Sequence, residues 1–383
     1  MNKYDVLVVG AGPSGSMLSY YLGTAGANVL LTDKQILPRY KACGGGITHR
    51  ASTLIPFDID SIVEDYSYGA FISWKGEPLY SGISSYPIIA MVMREKFDYF
   101  LACKAMSSGV EVMDNTSVIS IDHRKTSSVV TTSRGIYNAG IVVGADGANS
   151  RVAKALGLHI ESKYKMAFVA EVYPQNIDQL DIYKKEVHFD LNFIPGGYGW
   201  IFPKKDHLSV GLFAPINMAR YMQIYLDKFL RAKKIKNLYK VKKTEAHLIP
   251  THPNENNVLG NSNGCVVGDA TCFVDPVTGE GIFYALREAQ IGSSIIIQYG
   301  PSGLLEYSDM LKSEFMKEMR AAETMAMILY KFPRTSKYIL KWLPEHAHDH
   351  IKIICGEQSY VDLYREVFSV KSVKKILSQF IGQ

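Results

Sequence analysis

The chain has 383 residues, 47% hydrophobic and 21% charged. This globular composition excludes a disordered or collagen-like protein and suits two or three domains or one elaborated α/β fold. Forty-two basic against 37 acidic residues leave a net charge of +5, too weak at this length to indicate nucleic acid. Five widely spaced cysteines, with no CxxC pair and no Cys/His cluster, exclude a disulfide scaffold and a zinc site and point to a reducing compartment. No apolar leader core precedes the first motif and no apolar run reaches the roughly 18 residues of a spanning helix, so a cytoplasmic location is expected.

Residues 4–9 form an apolar run that reads as a strand. Gly10-Ala11-Gly12-Pro13-Ser14-Gly15 follows and opens a helical stretch, and a second apolar strand over 27–32 ends at Asp33 and Lys34. This is a βαβ dinucleotide fingerprint. Gly10 permits the tight turn, Gly12 lets backbone approach a pyrophosphate, and Gly15 lets helix and strand pack closely. The helix N-terminus meets the phosphate charge, and Asp33 suits a ribose hydroxyl. Only one such fingerprint occurs, so no second Rossmann unit serves a separate nicotinamide nucleotide, and FAD and NAD must be separated by later motifs.

The next stretch contains Pro38-Arg39-Tyr40-Lys41-Ala42-Cys43-Gly44-Gly45-Gly46, and Arg94 opens a helix. Short strands are expected over 110–113, 117–122, 129–132 and 136–143. Residues 142–151 (VVGADGANSR) run from a strand into a turn holding Asp146 and Gly147, and 264–269 (GCVVGD) run into Gly268 and Asp269. Pro276, Gly279 and Gly281 then precede a long helical pattern from Ile282. Each segment hands a strand end to a turn and a helix N-terminus, which suits an anionic ligand or an electron-rich ring edge.

Between these pieces lie strands expected over 167–173, 186–193, 199–203 and 208–213. Tyr198, Trp200 and Phe202 alternate with Gly199 and Ile201, so a strand here projects three aromatic rings to one face. That face is either packed core or the wall of an apolar slot. Pro203, Lys204 and Lys205 follow, the lysines placed to meet a polar head group or to stand in solvent. Residues 220–243 carry nine basic groups and one acid, +8 against −3 for the rest of the chain. This segment offers itself to an anionic membrane, a pyrophosphate or an acidic partner protein, or is a solvated face. Beyond Leu304 the pattern is helical and rich in methionine, and 367–380 reads as an amphipathic helix that rests on a membrane or on the protein body.

The glycine fingerprint, Arg94, Asp146-Gly147 and Gly268-Asp269 together resemble the FAD-binding elements of the p-hydroxybenzoate hydroxylase superfamily. The resemblance implies FAD, with Asp269 at the ribitol, Gly279, Gly281 and Ile282 at the pyrimidine edge of the flavin, and Lys34, Arg39 and Pro276 among the cofactor residues. Asp33 stands where glutamate is commoner. The stretch Arg39-Tyr40-Lys41-Ala42-Cys43-Gly44-Gly45-Gly46 and the segment YGWIFPK over 198–204 narrow the resemblance to the geranylgeranyl reductase family, across about residues 1–300. Ala42 replaces a usual proline and Ser209 a common asparagine.

That family implies a reductase of isoprenoid C=C bonds, with hydride from the reduced flavin and a proton to the second carbon. Its substrate would be a prenyl lipid or prenyl diphosphate and its electron donor NADPH or ferredoxin, with peripheral membrane contact and an electron-donor protein as partners. Cys43 is either an inert small hydrophobe or a flavin-proximal thiol, and it joins Tyr198 and Trp200 as a catalytic candidate, with Tyr198, Trp200, Phe202, Pro203 and Lys204 at the substrate. Cys272 in GDATCF is a further guess for the same site. An aromatic monooxygenase and a non-catalytic prenyl-lipid-binding flavoprotein are the competing readings. A halogenase matches less well, because its WxWxIP segment is replaced here.

The expected architecture is an α/β fold: a Rossmann-like FAD-binding domain (1–70, 92–159, 258–300) with an inserted antiparallel-sheet substrate domain (71–91, 160–257) and a helical C-terminal region (301–383).

Overall fold

In the computed structural model, which describes residues 3–236, 239–342, 352–353 and 356–368, the first apolar run becomes the strand Lys3–Val9 at the centre of an eight-stranded sheet. Five strands of this sheet run parallel, in the order Gly264–Val266, Gly135–Gly144, Lys3–Val9, Val29–Thr32, Glu111–Met113. Val6, Leu7, Val8, Leu30 and Leu31 are buried. Strands covered on both faces read as continuous apolar runs, and these do. Ser128–Thr132, Val118–His123 and Gly260–Asn261 extend the sheet in antiparallel fashion. The helix Pro13–Thr24 begins on proline, where no hydrogen bond is lost, and packs against the helices Arg94–Ser107 and Ile282–Gly303.

The second sheet has seven strands, ordered Tyr239–Pro250, Tyr164–Pro174, Leu208–Pro215, Tyr198–Pro203, Glu186–Leu191, Gly69–Trp74, Glu77–Ile83. The sheet is antiparallel, as expected, except that Glu186–Leu191 pairs in parallel with Gly69–Trp74. The chain between these two strands crosses the flavin-side sheet before returning, and so long a crossover is compatible with a parallel pair where a hairpin is not. A three-stranded sheet of Gly46–Thr48, Ile89–Val92 and Val63–Ser67 lies between the two large ones in the chain path.

Alternation along Tyr198–Pro203 is what sorts the second sheet into two faces. Ile201 joins Leu226, Phe229 and Leu230 of the helix Met222–Ala232 on one side, while Tyr198 and Trp200 pack with Ala167, Val169 and Phe213 on the other. Each apolar side chain fully buried under that helix contributes about 1.5–3 kcal/mol.

The basic segment is divided by the fold. Lys233 pairs with buried Asp190 at 2.6 Å, and Arg231 and Lys236 share Asp227. Lys240 and Lys242 are exposed on the edge strand Tyr239–Pro250, Lys242 lying over the Tyr173 ring.

Among the described residues, the helices Tyr307–Lys331, Pro333–Trp342 and Tyr360–Val367 complete the C-terminal region. Phe315 and Met319 enter the main core, whereas Met310 and Met327 are exposed. The Ser359 hydroxyl caps the last helix, and the Glu318 carboxylate accepts from the Tyr360 and Val361 N–H groups. The amphipathic pattern beyond Phe368 lies outside the described residues. Among the described residues no helix is long and apolar enough to cross a membrane, and no His/Cys/Asp/Glu cluster could hold a metal ion.

Candidate cofactor and substrate site

Parallel strands deliver their C-terminal ends to one rim, and there the turns after Val9, Gly144 and Val266 converge. The aromatic face of the second sheet stands opposite. Between them lies a cavity that opens to solvent. Gly12, Pro13, Ser14, Gly147, Gly268, Asp269, Gly279, Gly281 and Ile282 line one wall. Tyr198, Trp200, Phe202, Phe189 and Phe213 line the other, with Cys43, Gly44, Gly45 and Arg94 between.

The fingerprint glycines divide by role. A Cβ on Gly10, whose φ is +111°, would collide with the Ala145 carbonyl, and one on Gly15 with the Gly10 carbonyl. A Cβ on Gly12 would meet only the Arg39 guanidinium, at 4.0 Å. The first two glycines are required by packing, and Gly12 keeps open the space at the helix N-terminus where a pyrophosphate would sit.

Asp33, expected at a ribose hydroxyl, follows the strand Val29–Thr32. It is buried away from the cavity lining, and its two oxygens already accept from the Ala11 N–H at 3.0 Å, the Gln35 N–H at 2.9 Å and Arg39 Nε at 3.2 Å. Arg39 also reaches Asp98 at 3.0 Å, and Asp98 is held by Arg94 at 2.8 and 2.9 Å. Burial opposes ionisation of Asp98, but Arg94 and Arg39 hold its carboxyl below the usual range. Asp33 thus anchors the fingerprint turn to a buried charge ladder that ends at Arg94 on the cavity wall.

Three further residues expected at the cofactor have these surroundings. Lys34 is exposed and off the cavity. Asp146 caps the helix Arg151–Ala155, accepting from Ser150, Arg151 and Val152, while its neighbour Gly147 lines the cavity. Pro276 is buried with its carbonyl held by Lys165.

Asp269 has Lys41 Nζ and His247 Nε2 each 3.5 Å from Oδ2. Burial would raise its pKa, but Lys41, His247 and Arg94 hold the carboxyl well below the usual range. Behind this turn, fully buried Glu288 accepts from the Gly268 N–H at 2.6 Å and the Thr271 hydroxyl at 2.9 Å. Burial pushes its pKa well above the ordinary value.

Glycines at 44 and 45 let the aromatic wall and the small sheet close on the Cys43 loop. A Cβ on Gly44 would stand 2.8 Å from the Phe202 ring, and one on Gly45, whose φ is +66°, would collide with the Val92 carbonyl. Cys43 Sγ accepts from the Gly45 N–H at 3.3 Å and interacts with Arg94. Cys272 is buried and does not line the cavity.

Lys204 is the plainest correction. Expected at a polar head group, it is 3% exposed, and its Nζ donates to the carbonyls of Gly44 at 2.8 Å, Gly45 at 3.2 Å and Val92 at 2.9 Å. Burial pushes its pKa down to about 8. Neither it nor Pro203 lines the cavity.

The other aromatic residues fall where the alternation places them. The Trp200 indole N–H is buried without a hydrogen-bond partner in the protein, and the Tyr198 hydroxyl donates to the Thr278 carbonyl. Sequence reasoning missed Thr48, Arg50, His247, Phe189 and Phe213 as cavity residues. The Glu280 carboxylate accepts from Thr48 and Arg50. Nothing local marks Arg50 as its partner.

A second cavity adjoins the first, sharing Phe189, Tyr198, Thr278 and Ile353. Its remaining wall is almost wholly apolar and includes Ile72, Leu191, Val277, Met325, Ile328 and Leu363.

The open space at Gly12 and the glycine-lined turns fit a flavin dinucleotide. Comparison with known proteins agrees. A family model described as an FAD binding domain matches residues 3–294. An uncharacterized protein of Methanosarcina barkeri is 30% identical, over 90% of this chain and 88% of its own. A geranylgeranyl diphosphate reductase of Synechocystis is 31% identical, over 78% of this chain and 76% of its own. The crystal structure of a geranylgeranyl bacteriochlorophyll reductase-like protein from Thermoplasma acidophilum shares the fold, with a TM-score of 0.76 at 22% identity over 99% of this chain and 96% of that one. Fingerprint, cavity and relatives together show that the chain belongs to the FAD-binding oxidoreductases and, among them, to the geranylgeranyl reductase family.

Proposed function

We propose that the protein reduces carbon–carbon double bonds of an isoprenoid chain. The observation that carries this reading is the pair of joined cavities: an aromatic wall faces the glycine-lined cofactor space, and beyond Tyr198 the wall continues into an apolar chamber with room for a flexible hydrocarbon. Bound, reduced FAD supplies the hydride equivalent.

The protein's own residues do the rest. An isolated alkene is unactivated, so alignment and exclusion of water dominate. Tyr198, Trp200 and Phe202 would hold the chain along the cofactor space. Cys43 would carry the proton at Sγ, and the thiolate left after transfer would keep the Gly45 N–H and Arg94 as partners. NADPH or a ferredoxin remains the proposed electron source.

The test is product analysis. The protein, reduced with dithionite without oxygen, is given geranylgeraniol, geranylgeranyl diphosphate and a geranylgeranyl ether lipid. The expected product gains two hydrogens per reduced bond, and Cys43→Ala lowers its yield at least about tenfold with FAD still bound. Unchanged mass with all three substrates would refute the reading.

A further inference from the structure

The loop from Asp275 to Gly281 carries the backbone that would face the flavin, and its inner side is braced by itself. Asp275 accepts from the Val277 N–H at 2.7 Å and the Thr278 N–H at 3.0 Å, and from the Tyr360 hydroxyl at 2.9 Å. Its outer side is held by neighbours far away in sequence. Three successive carbonyls are taken by three different side chains: Pro276 by Lys165 Nζ at 2.9 Å, Val277 by the Tyr330 hydroxyl at 2.5 Å, and Thr278 by the Tyr198 hydroxyl. Lys165 Nζ also lies 4.2 Å over the Tyr330 ring and 4.7 Å over the Phe213 ring. Gly279, at φ +75°, stands so close to Phe213 that a Cβ would come within 2.9 Å of the ring.

Each such hydrogen bond adds about 0.5–1.5 kcal/mol net, and three of them on successive carbonyls also fix the path of the backbone between them. Two of the three donors, Lys165 and Tyr198, come from the second sheet, and the third comes from the helix Tyr307–Lys331. We propose that Tyr330 is a positioning residue for the flavin-facing loop: from the wall of the apolar chamber its hydroxyl, with Lys165 and Tyr198, fixes the backbone that leads into Gly279–Gly281. The C-terminal helices thereby act on the cofactor without touching it. This rests on the FAD reading of the cavity and is independent of which substrate is reduced. Burial pushes the Tyr330 and Tyr198 hydroxyls well above the ordinary tyrosine range, so both remain donors at neutral pH.

The experiment uses the full chain loaded with FAD and the substitution Tyr330→Phe, which keeps the ring and removes only the donor. Visible circular dichroism of the bound flavin, its two-electron potential, and hydrogen exchange across the loop are measured. The expected result is loss of at least half the dichroism and at least tenfold faster exchange in 275–281, with the following helix unchanged. It includes a roughly tenfold change in the affinity ratio for reduced and oxidised FAD, equivalent to about 30 mV. Tyr299→Phe, at an exposed ring, leaves all three readouts unaltered. Dichroism, potential and loop exchange equal to wild type would overturn the proposal, as would faster exchange spread through the C-terminal helices with flavin signals intact. If Tyr330→Phe fails to retain FAD, Lys165→Met carries the same test from the opposite side of the loop: lost dichroism supports the clamp, and a wild-type spectrum overturns it.

Discussion

Replacing Lys204 with methionine tests whether this buried cation supports the Cys43 loop. The substitution keeps the side-chain length and leaves three carbonyls, those of Gly44, Gly45 and Val92, without their donor. Each orphaned acceptor costs about 1–3 kcal/mol, and removing a buried charge whose pKa is pushed down to about 8 offsets about 3 kcal/mol of that, leaving a net loss of about 3 kcal/mol near neutral pH.

The pH dependence is the sharper part. Burial lowers the folded pKa of Lys204 to about 8 from an ordinary 10.5. Above the lower value the native state sheds its buried charge while the unfolded chain keeps its proton. Unfolding then takes up protons, and wild-type stability rises with pH across that window. Between about pH 7.5 and about pH 9.5 the wild type gains about 2 kcal/mol that Lys204→Met cannot. Urea denaturation of both proteins at the two pH values measures the gap, and the comparison cancels titrations common to both. A gap that stays constant or narrows at the higher pH would show that Lys204 is not a desolvated ammonium under the loop.

Gly12→Ala and Gly15→Ala separate cofactor space from packing. The first leaves stability within about 1 kcal/mol and weakens FAD binding at least about tenfold, whereas the second, which collides with the Gly10 carbonyl, costs about 3 kcal/mol in the apo-protein. Equal effects of the two on apo-protein melting would contradict the division. Trp200→Phe removes the unpartnered indole N–H and part of the aromatic wall, and it is expected to raise the KM for geranylgeranyl substrates about threefold to tenfold with FAD affinity unchanged. Steady-state kinetics beside a flavin titration checks this; a loss confined to FAD binding would move Trp200 to the cofactor.

What could be read from sequence was set by short-range sterics. Gly10 and Gly15 occur at offsets where any side chain meets backbone, and Tyr198, Trp200 and Phe202 obey the two-residue period of a strand. Lys204 escaped because its neighbours in the chain say only that it follows a strand. Its N–H bonds back to the His207 carbonyl, and that turn carries the ammonium beneath glycines about 160 residues earlier. Asp33 also accepts from Arg39, and Glu280 meets Arg50 across 230 residues. The parallel pairing of Glu186–Leu191 with Gly69–Trp74 follows from the path of the whole chain and has no local signature. Contacts made by tertiary closure supplied the clamp on the flavin loop and the second cavity, and no motif encodes either.

Anaerobic mixing of the stoichiometrically reduced flavoprotein with geranylgeranyl diphosphate and with geranylgeraniol tests the central claim most directly. Flavin reoxidation followed at its visible absorption band should proceed without oxygen, with one double bond saturated per flavin oxidised. A flavin that stays reduced until oxygen is admitted, and then yields an oxygenated product, would contradict the account and favour a monooxygenase.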